Sequence, residues 1–89
     1  MDAKELLIDE LEKRLRKARR KARKLSAVAA MAWLEADVWR QLHDEELAGD
    51  AKKRQEQANK ERDEWRALVD QIERELAMLV SVPAQPFDT

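Results

Sequence analysis

Apolar or small side chains recur along the first half of the chain at alternating steps of three and four residues. The positions are Ile8, Leu11, Leu15, Ala18, Ala22, Leu25, Ala29, Ala32, Ala36 and Trp39. This spacing keeps the side chains on one face of an α-helix, as in a coiled-coil seam. A second series has the same steps in a different phase and consists of Ala51, Ala58, Trp65, Val69, Ile72, Leu76 and Leu79. The pattern predicts two amphipathic helices.

The change of phase falls beside Gly49, the one glycine of the sequence. Glycine often ends a helix, and Asp50 is suited to cap the next one. We predict helix 1 over about residues 3–47, a turn over about 48–50 and helix 2 over about 51–81. Because Pro83 disfavours helical geometry before it, residues 82–89 are predicted to form an extended tail. One long, locally distorted helix is the alternative.

Folding back at Gly49 predicts a long, antiparallel, coiled-coil-like hairpin of the all-α class. No strands are predicted, because aromatic residues make up only 4% of the chain and no alternating pattern is present. Two charge matches support the hairpin. Acidic residues 44–46 fall opposite basic residues 52–54, and the basic stretch 16–24 falls near the acids of residues 70–75. The hairpin is the single predicted domain, over residues 1–81.

Two sets of apolar side chains have no cover in a single hairpin. Helix 1 would extend past helix 2 by about 20 Å at about 1.5 Å per residue, and residues 27–39 are apolar around most of the helix. Burying a large apolar side chain is worth about 1.5–3 kcal/mol, so we expect a homodimer that forms a four-helix bundle. The predicted interface residues are Leu7, Ile8, Leu11, Leu15, Val28, Met31, Trp33, Leu34 and Val38.

Three tryptophans and one phenylalanine are the aromatic residues of the chain. The predicted register brings Trp33 level with Trp65 and leaves Trp39 as the exposed tryptophan. Because buried Trp and Arg side chains dominate many interfaces, Trp39 and Arg40 are candidates for binding a partner. Phe87 is a third candidate, and its alternative role is to let the tail cover the overhanging end of helix 1.

A basic run stands out in helix 1, with eight cations in eleven residues and no acid among them. It consists of Arg14, Arg16, Lys17, Arg19, Arg20, Lys21, Arg23 and Lys24. Such a helix suits phosphate backbones or another anionic surface. The alternative is a solvated face whose counter-charges lie on helix 2. The net charge of −1, from 18 basic and 19 acidic residues, favours the second interpretation, because dedicated nucleic-acid binders are usually basic.

Sequence features of catalysis are missing. There is no glycine-rich phosphate loop and no metalloprotease motif, and the two serines, Ser26 and Ser81, have no plausible catalytic partners. His43 precedes three acids, but consecutive side chains diverge on a helix, so we predict no metal site and no cofactor. The absence of cysteine fits a reducing cytoplasm.

These observations predict a cytoplasmic, non-enzymatic protein-interaction module. We expect a homo-oligomeric adaptor, assembly factor or inhibitor of a larger complex, of the kind found as small bacterial or phage accessory proteins. Its expected partners are a second copy of itself and another protein. A nucleic-acid-binding regulator that uses residues 14–24 is the alternative, and membrane association is the least favoured interpretation. No motif assigns the chain to a family.

Overall fold

The computed structural model describes residues 2–81, which form two long α-helices joined by a short turn. The first helix, α1, spans Ala3–Gln41, and the second, α2, spans Glu45–Ser81. They pack antiparallel along their length. The predicted all-helical hairpin is therefore confirmed, and the single continuous helix is excluded. The predicted tail over residues 82–89, with Phe87, lies outside the described residues.

The N-terminus of α1 is capped by Asp2. Its Oδ1 accepts a hydrogen bond from the backbone N–H of Glu5 at 2.8 Å, which satisfies one of the amide groups that the first turn leaves free. The negative charge of Glu5 in the same turn also favours the positive end of the helix dipole. These two residues explain why α1 begins at Ala3, as the sequence predicts.

A Schellman motif ends α1. The N–H of His43 donates to the carbonyl oxygen of Arg40 at 3.0 Å, and the N–H of Asp44 donates to that of Trp39 at 2.8 Å. Between them His43 has a φ of 61°, in the left-handed region. This pair of bonds around a left-handed residue is the usual way for a helix to stop, although the residue is more often glycine.

Asp44 also begins α2, because its Oδ1 accepts a hydrogen bond from the N–H of Leu47 at 3.0 Å. Glu45 and Glu46 then lie in the first turn of α2, where the helix dipole favours acidic side chains. The predicted turn at 48–50 is thus wrong. Gly49 lies inside α2, and the chain reverses about six residues earlier, at residues 42–44.

The predicted seam is confirmed in both helices. Each of the ten positions of the first series and the seven of the second is buried or half-buried. Near the turn the seam consists of small side chains, with Ala32, Ala36, Ala48 and Ala51 buried. Toward the open end, larger side chains form the core. Leu11, Leu15 and Ile72 are buried there, and Val69, Leu76 and Leu79 pack against them.

The earlier turn changes the register. Two ion pairs join the helices, Arg19 to Glu73 at 3.0 Å and Arg54 to Glu35 at 2.7 Å. The residue numbers of these pairs add to 92 and 89, whereas the sequence predicted a sum near 98. Acidic residues 44–46 therefore begin α2 instead of facing residues 52–54. The helices are nearly equal in length, with 39 and 37 residues, and the Arg19–Glu73 pair brings Ser81 level with Leu11. Within the described residues α1 therefore extends past α2 by about 12 Å at about 1.5 Å per residue, less than the predicted 20 Å.

Candidate interaction surface

A second series of residues follows α1 on the side opposite the seam, again at alternating steps of four and three. We call it the outer face, and it consists of Lys13, Lys17, Arg20, Lys24, Ala27, Met31, Leu34 and Val38. All eight residues are exposed. Such spacing is the pattern by which one helix packs against another, so α1 has a stripe for α2 and a second stripe without a partner among the described residues.

The C-terminal half of the outer face is apolar. Met31 is 60% exposed, Leu34 50% and Val38 51%, and the neighbouring Val28 is 47% exposed. An open depression of about 500 Å³ extends from Met31, Leu34 and Val38 across the groove between the helices to Leu47 of α2. Contiguous apolar patches of this kind mark interaction sites on soluble proteins more often than single exposed residues do.

The N-terminal half of the outer face is basic. Of the eight cations in the predicted run, Arg14 pairs with Glu10 at 3.4 Å and Arg19 pairs with Glu73 at 3.0 Å. Within residues 2–81 no ion pair is formed by the other six, which are Arg16, Lys17, Arg20, Lys21, Arg23 and Lys24. An open depression of about 430 Å³ is lined entirely by basic side chains of this segment.

The predicted counter-charges on α2 are therefore only partly present. Glu73 does pair with Arg19, but Glu75 accepts a hydrogen bond from Gln71 instead. Both groups of the Arg19–Glu73 pair are about half exposed, where such pairs contribute little to stability. Most of the positive charge of the run thus faces solvent.

Two predicted interface residues are already covered within the hairpin. Leu11 and Leu15 are each 8% exposed because Ile72 and its neighbours pack on them. The overhang predicted from the sequence is the reason why they were expected to lack cover. Ile8 is half-buried, whereas Leu7 is 48% exposed, so only the outermost part of this predicted set remains accessible.

The tryptophans are arranged differently from the prediction. Trp33 is 52% exposed, while Trp39 and Trp65 are both half-buried. Trp39 belongs to the inner seam series and Trp33 does not, which explains the reversal. Since the register also changed, Trp33 is not level with Trp65. The exposed tryptophan is therefore Trp33, and Arg40 is the exposed residue beside Trp39.

Neither a metal centre nor a membrane span is found among the described residues. No three His, Cys, Asp or Glu side chains in residues 2–81 converge to hold a metal ion. Neither helix is long and apolar enough to cross a bilayer. The described residues also include no buried polar or charged side chain, and the depressions between the helices are open to solvent.

The sequence identifies the members of the outer face but not their common spacing. It shows the basic residues as one run and the apolar residues as a cluster that covers most sides of the helix. The alternating steps of four and three from Lys13 to Val38 are the signal that could have shown that the basic and apolar residues lie on one face of the helix. Comparisons with protein-family models, with curated proteins and with solved structures gave no match.

Proposed function

We propose that this chain is a non-enzymatic protein-interaction module that binds another protein surface through the outer face of α1, and so acts as an adaptor, assembly factor or inhibitor of a larger complex. The observation that carries the proposal is the exposure of Met31, Leu34 and Val38. Each is half or more exposed, and their spacing of three and four residues is the one by which helices pack against each other. A helix that lays such a stripe into a groove is a common mode of protein recognition.

The exposed stripe supplies a hydrophobic contribution to binding, to which other contacts must be added because association costs at least about 4 kcal/mol. Full burial of a large apolar side chain is worth about 1.5–3 kcal/mol, and Val28, Met31, Leu34 and Val38 are each about half exposed. Covering the remaining halves therefore offers roughly 3–6 kcal/mol before the costs of association. Basic side chains continue the same face, so an acidic surface next to an apolar groove is the complementary partner chemistry.

A photo-crosslinking amino acid at Met31 tests this proposal. We expect it to cross-link to protein in the purified sample or in an extract of the cells that produce the chain. Met78 is the matched control, because it is equally exposed, at 66%, but lies on α2 away from the outer face. Failure of residue 31 to cross-link to any protein in either sample, or equal cross-linking from residue 78, would contradict the proposal.

A second candidate function is regulation through nucleic-acid binding, and the six cations without ion pairs favour it specifically. Reversing Arg16, Arg20 and Arg23 to Glu should then abolish binding to DNA or RNA. Single reversals should lower the slope of the salt dependence by about 0.7–0.9 for each phosphate that is no longer neutralised. Reversing Lys52, Lys53 and Lys60 on α2 changes the net charge as much as the triple arginine variant does and should leave specific binding through the run intact.

A further inference from the structure

We infer that the partner of the outer face is a second copy of the chain, packed antiparallel across a two-fold axis between Met31 and Leu34. The inference rests on the outer face being a protein-binding surface, as proposed above, and names a second copy of the chain as the protein that covers it. In the resulting assembly the two copies of α1 lie in the centre and each copy of α2 lies outside, so four helices associate without any change within the hairpin.

The apolar half of the outer face has the symmetry that such a pair needs. In an antiparallel two-fold contact, residues whose numbers add to the same value face each other. Ala27 and Val38 add to 65, and so do Met31 and Leu34. Each small or medium side chain therefore meets an apolar one from the other copy, and a two-fold interface is self-complementary in this sense.

Charge selects the antiparallel orientation over the parallel one. A parallel pair in register would place Lys17, Arg20 and Lys24 beside their own copies, and like charges at such distances repel. In the antiparallel pair Lys24 reaches the level of Gln41, the last residue of α1 in the other copy. One turn further, Arg20 and its neighbours meet the hairpin tip of that copy.

The hairpin tip is acidic, and its two glutamates are available to pair with another chain. It carries Asp44, Glu45 and Glu46, of which the two glutamates are exposed. None of the three forms an ion pair within residues 2–81. At each end of the contact, basic side chains of one copy thus meet acidic side chains of the other copy, and neither group forms an ion pair within the described part of its own hairpin. The two-fold symmetry gives two such ends.

The small size of the contact indicates a weak, reversible dimer. From Arg20 to the end of α1 is about 30 Å at about 1.5 Å per residue, and a helix is about 10 Å wide. A contact of this size lies at the small end of specific protein interfaces. We therefore expect the dimer to form in the micromolar range and to dissociate on dilution.

Cysteine cross-linking tests the register, because the chain has no cysteine of its own. Mixing Ala27→Cys with Val38→Cys under mild oxidation should give a disulfide-linked heterodimer. Neither variant alone should form a disulfide-linked dimer efficiently. In the antiparallel pair the two copies of residue 27 would be about 16 Å apart along the helix axis at about 1.5 Å per residue, and so would the two copies of residue 38. Efficient self-linking of Ala27→Cys would instead indicate a parallel pair and overturn the inference.

Sedimentation equilibrium over a series of concentrations tests the driving forces. We expect the mass to rise with concentration toward twice 10.4 kDa, with at least tenfold weaker association for Met31→Glu and little change for the control Met78→Glu. Arg20→Glu with Lys24→Glu should weaken self-association several-fold, whereas the same charge change at Lys53 and Lys60 on α2 should not. A mixture of the Arg20→Glu, Lys24→Glu variant with a Glu45→Lys, Glu46→Lys variant should recover association.

One further result would overturn the inference without deciding whether the proposed function is correct. A purified chain that stays monomeric at about 100 µM, where a dimer of micromolar affinity would be mostly formed, excludes the second copy as the partner. Cross-links from residue 31 to a different protein in the cell extract would then still support the interaction module. If both experiments are negative, both proposals are wrong.

Discussion

His43 ends α1 in a backbone conformation that is unfavourable for most residues. At a φ of 61° any residue other than glycine has a backbone strain of about 1–2 kcal/mol. Replacement by glycine removes this strain but costs about 0.5–1 kcal/mol, because glycine loses more chain entropy on folding. We therefore expect His43→Gly to raise the free energy of unfolding by about 0.5–1 kcal/mol, measured by urea denaturation at fixed protein concentration.

A glycine two residues earlier is the matched control for this substitution. Gln41 is the last residue of α1 and has helical geometry, so Gln41→Gly should lower the free energy of unfolding by about 0.5–1 kcal/mol. Opposite signs for the two glycine variants are the expected signature of a left-handed residue at position 43. Destabilisation by both would show that the reversal of the chain lies elsewhere.

Gly49 provides the complementary test, because it lies inside α2 and not at the turn. A Cβ atom built at this position meets nothing within 4 Å, so alanine fits without strain. Since glycine in a helix interior costs about 0.5–1 kcal/mol relative to alanine, Gly49→Ala should stabilise the protein by that amount in thermal or urea unfolding. Loss of stability in this variant would support a turn at residues 48–50.

Cap residues allow a second check of the same boundary. Asp44 caps α2 through the N–H of Leu47, and removal of a cap costs about 0.5–2 kcal/mol. We expect Asp44→Ala to lower the free energy of unfolding within that range. Asp50→Ala should have an effect below about 0.5 kcal/mol, because Asp50 is an exposed residue within the helix.

At the scale of the helices, the periodicity of the sequence correctly predicted the seam but not the turn. Steps of three and four identify Leu15, Ala32 and Ile72 as buried whatever the position of the reversal, because each helix keeps its own face. The turn depends on local backbone energies instead. Gly49 was the stronger signal in the sequence, but the cap at Asp44 and two acids suited to the start of a helix outweigh it.

The seam near the turn consists of alanines, and such small side chains let two helices pack closely. Ala51 is completely buried, so Ala51→Leu must push the helices apart or force its side chain from a favourable rotamer. Overpacking of this kind typically costs about 1–3 kcal/mol, which we expect in the free energy of unfolding. Ala67 is exposed on the same helix, and Ala67→Leu should stay within about 0.5 kcal/mol of the parent protein.

At the scale of the whole molecule, the hairpin has a thin core and a large apolar surface. Eight of the eleven buried hydrophobic residues in the described chain are alanine, and each contributes little more than a methyl group, worth about 0.8 kcal/mol. Larger side chains such as Met31, Leu34 and Val38 remain outside. The sequence predicted this surplus of apolar side chains, and the alternating steps from Lys13 to Val38 also contain the information that identifies the face that carries them.

A stability that increases with protein concentration is the expected consequence. Association that involves only the folded chain stabilises it by mass action, so raising the total concentration from about the dissociation constant to about a hundred times that value should add roughly 1 kcal/mol per chain. For a domain of this size each kcal/mol shifts the melting temperature by about 4–8 °C. We therefore expect a rise of about 5–10 °C in circular dichroism melts. Met31→Glu should remove the concentration dependence, because its charge would be buried in the contact. Met78→Glu, equally exposed on α2, should retain it. A melting temperature independent of concentration in the parent protein would mean that the hairpin is stable alone, despite its thin core.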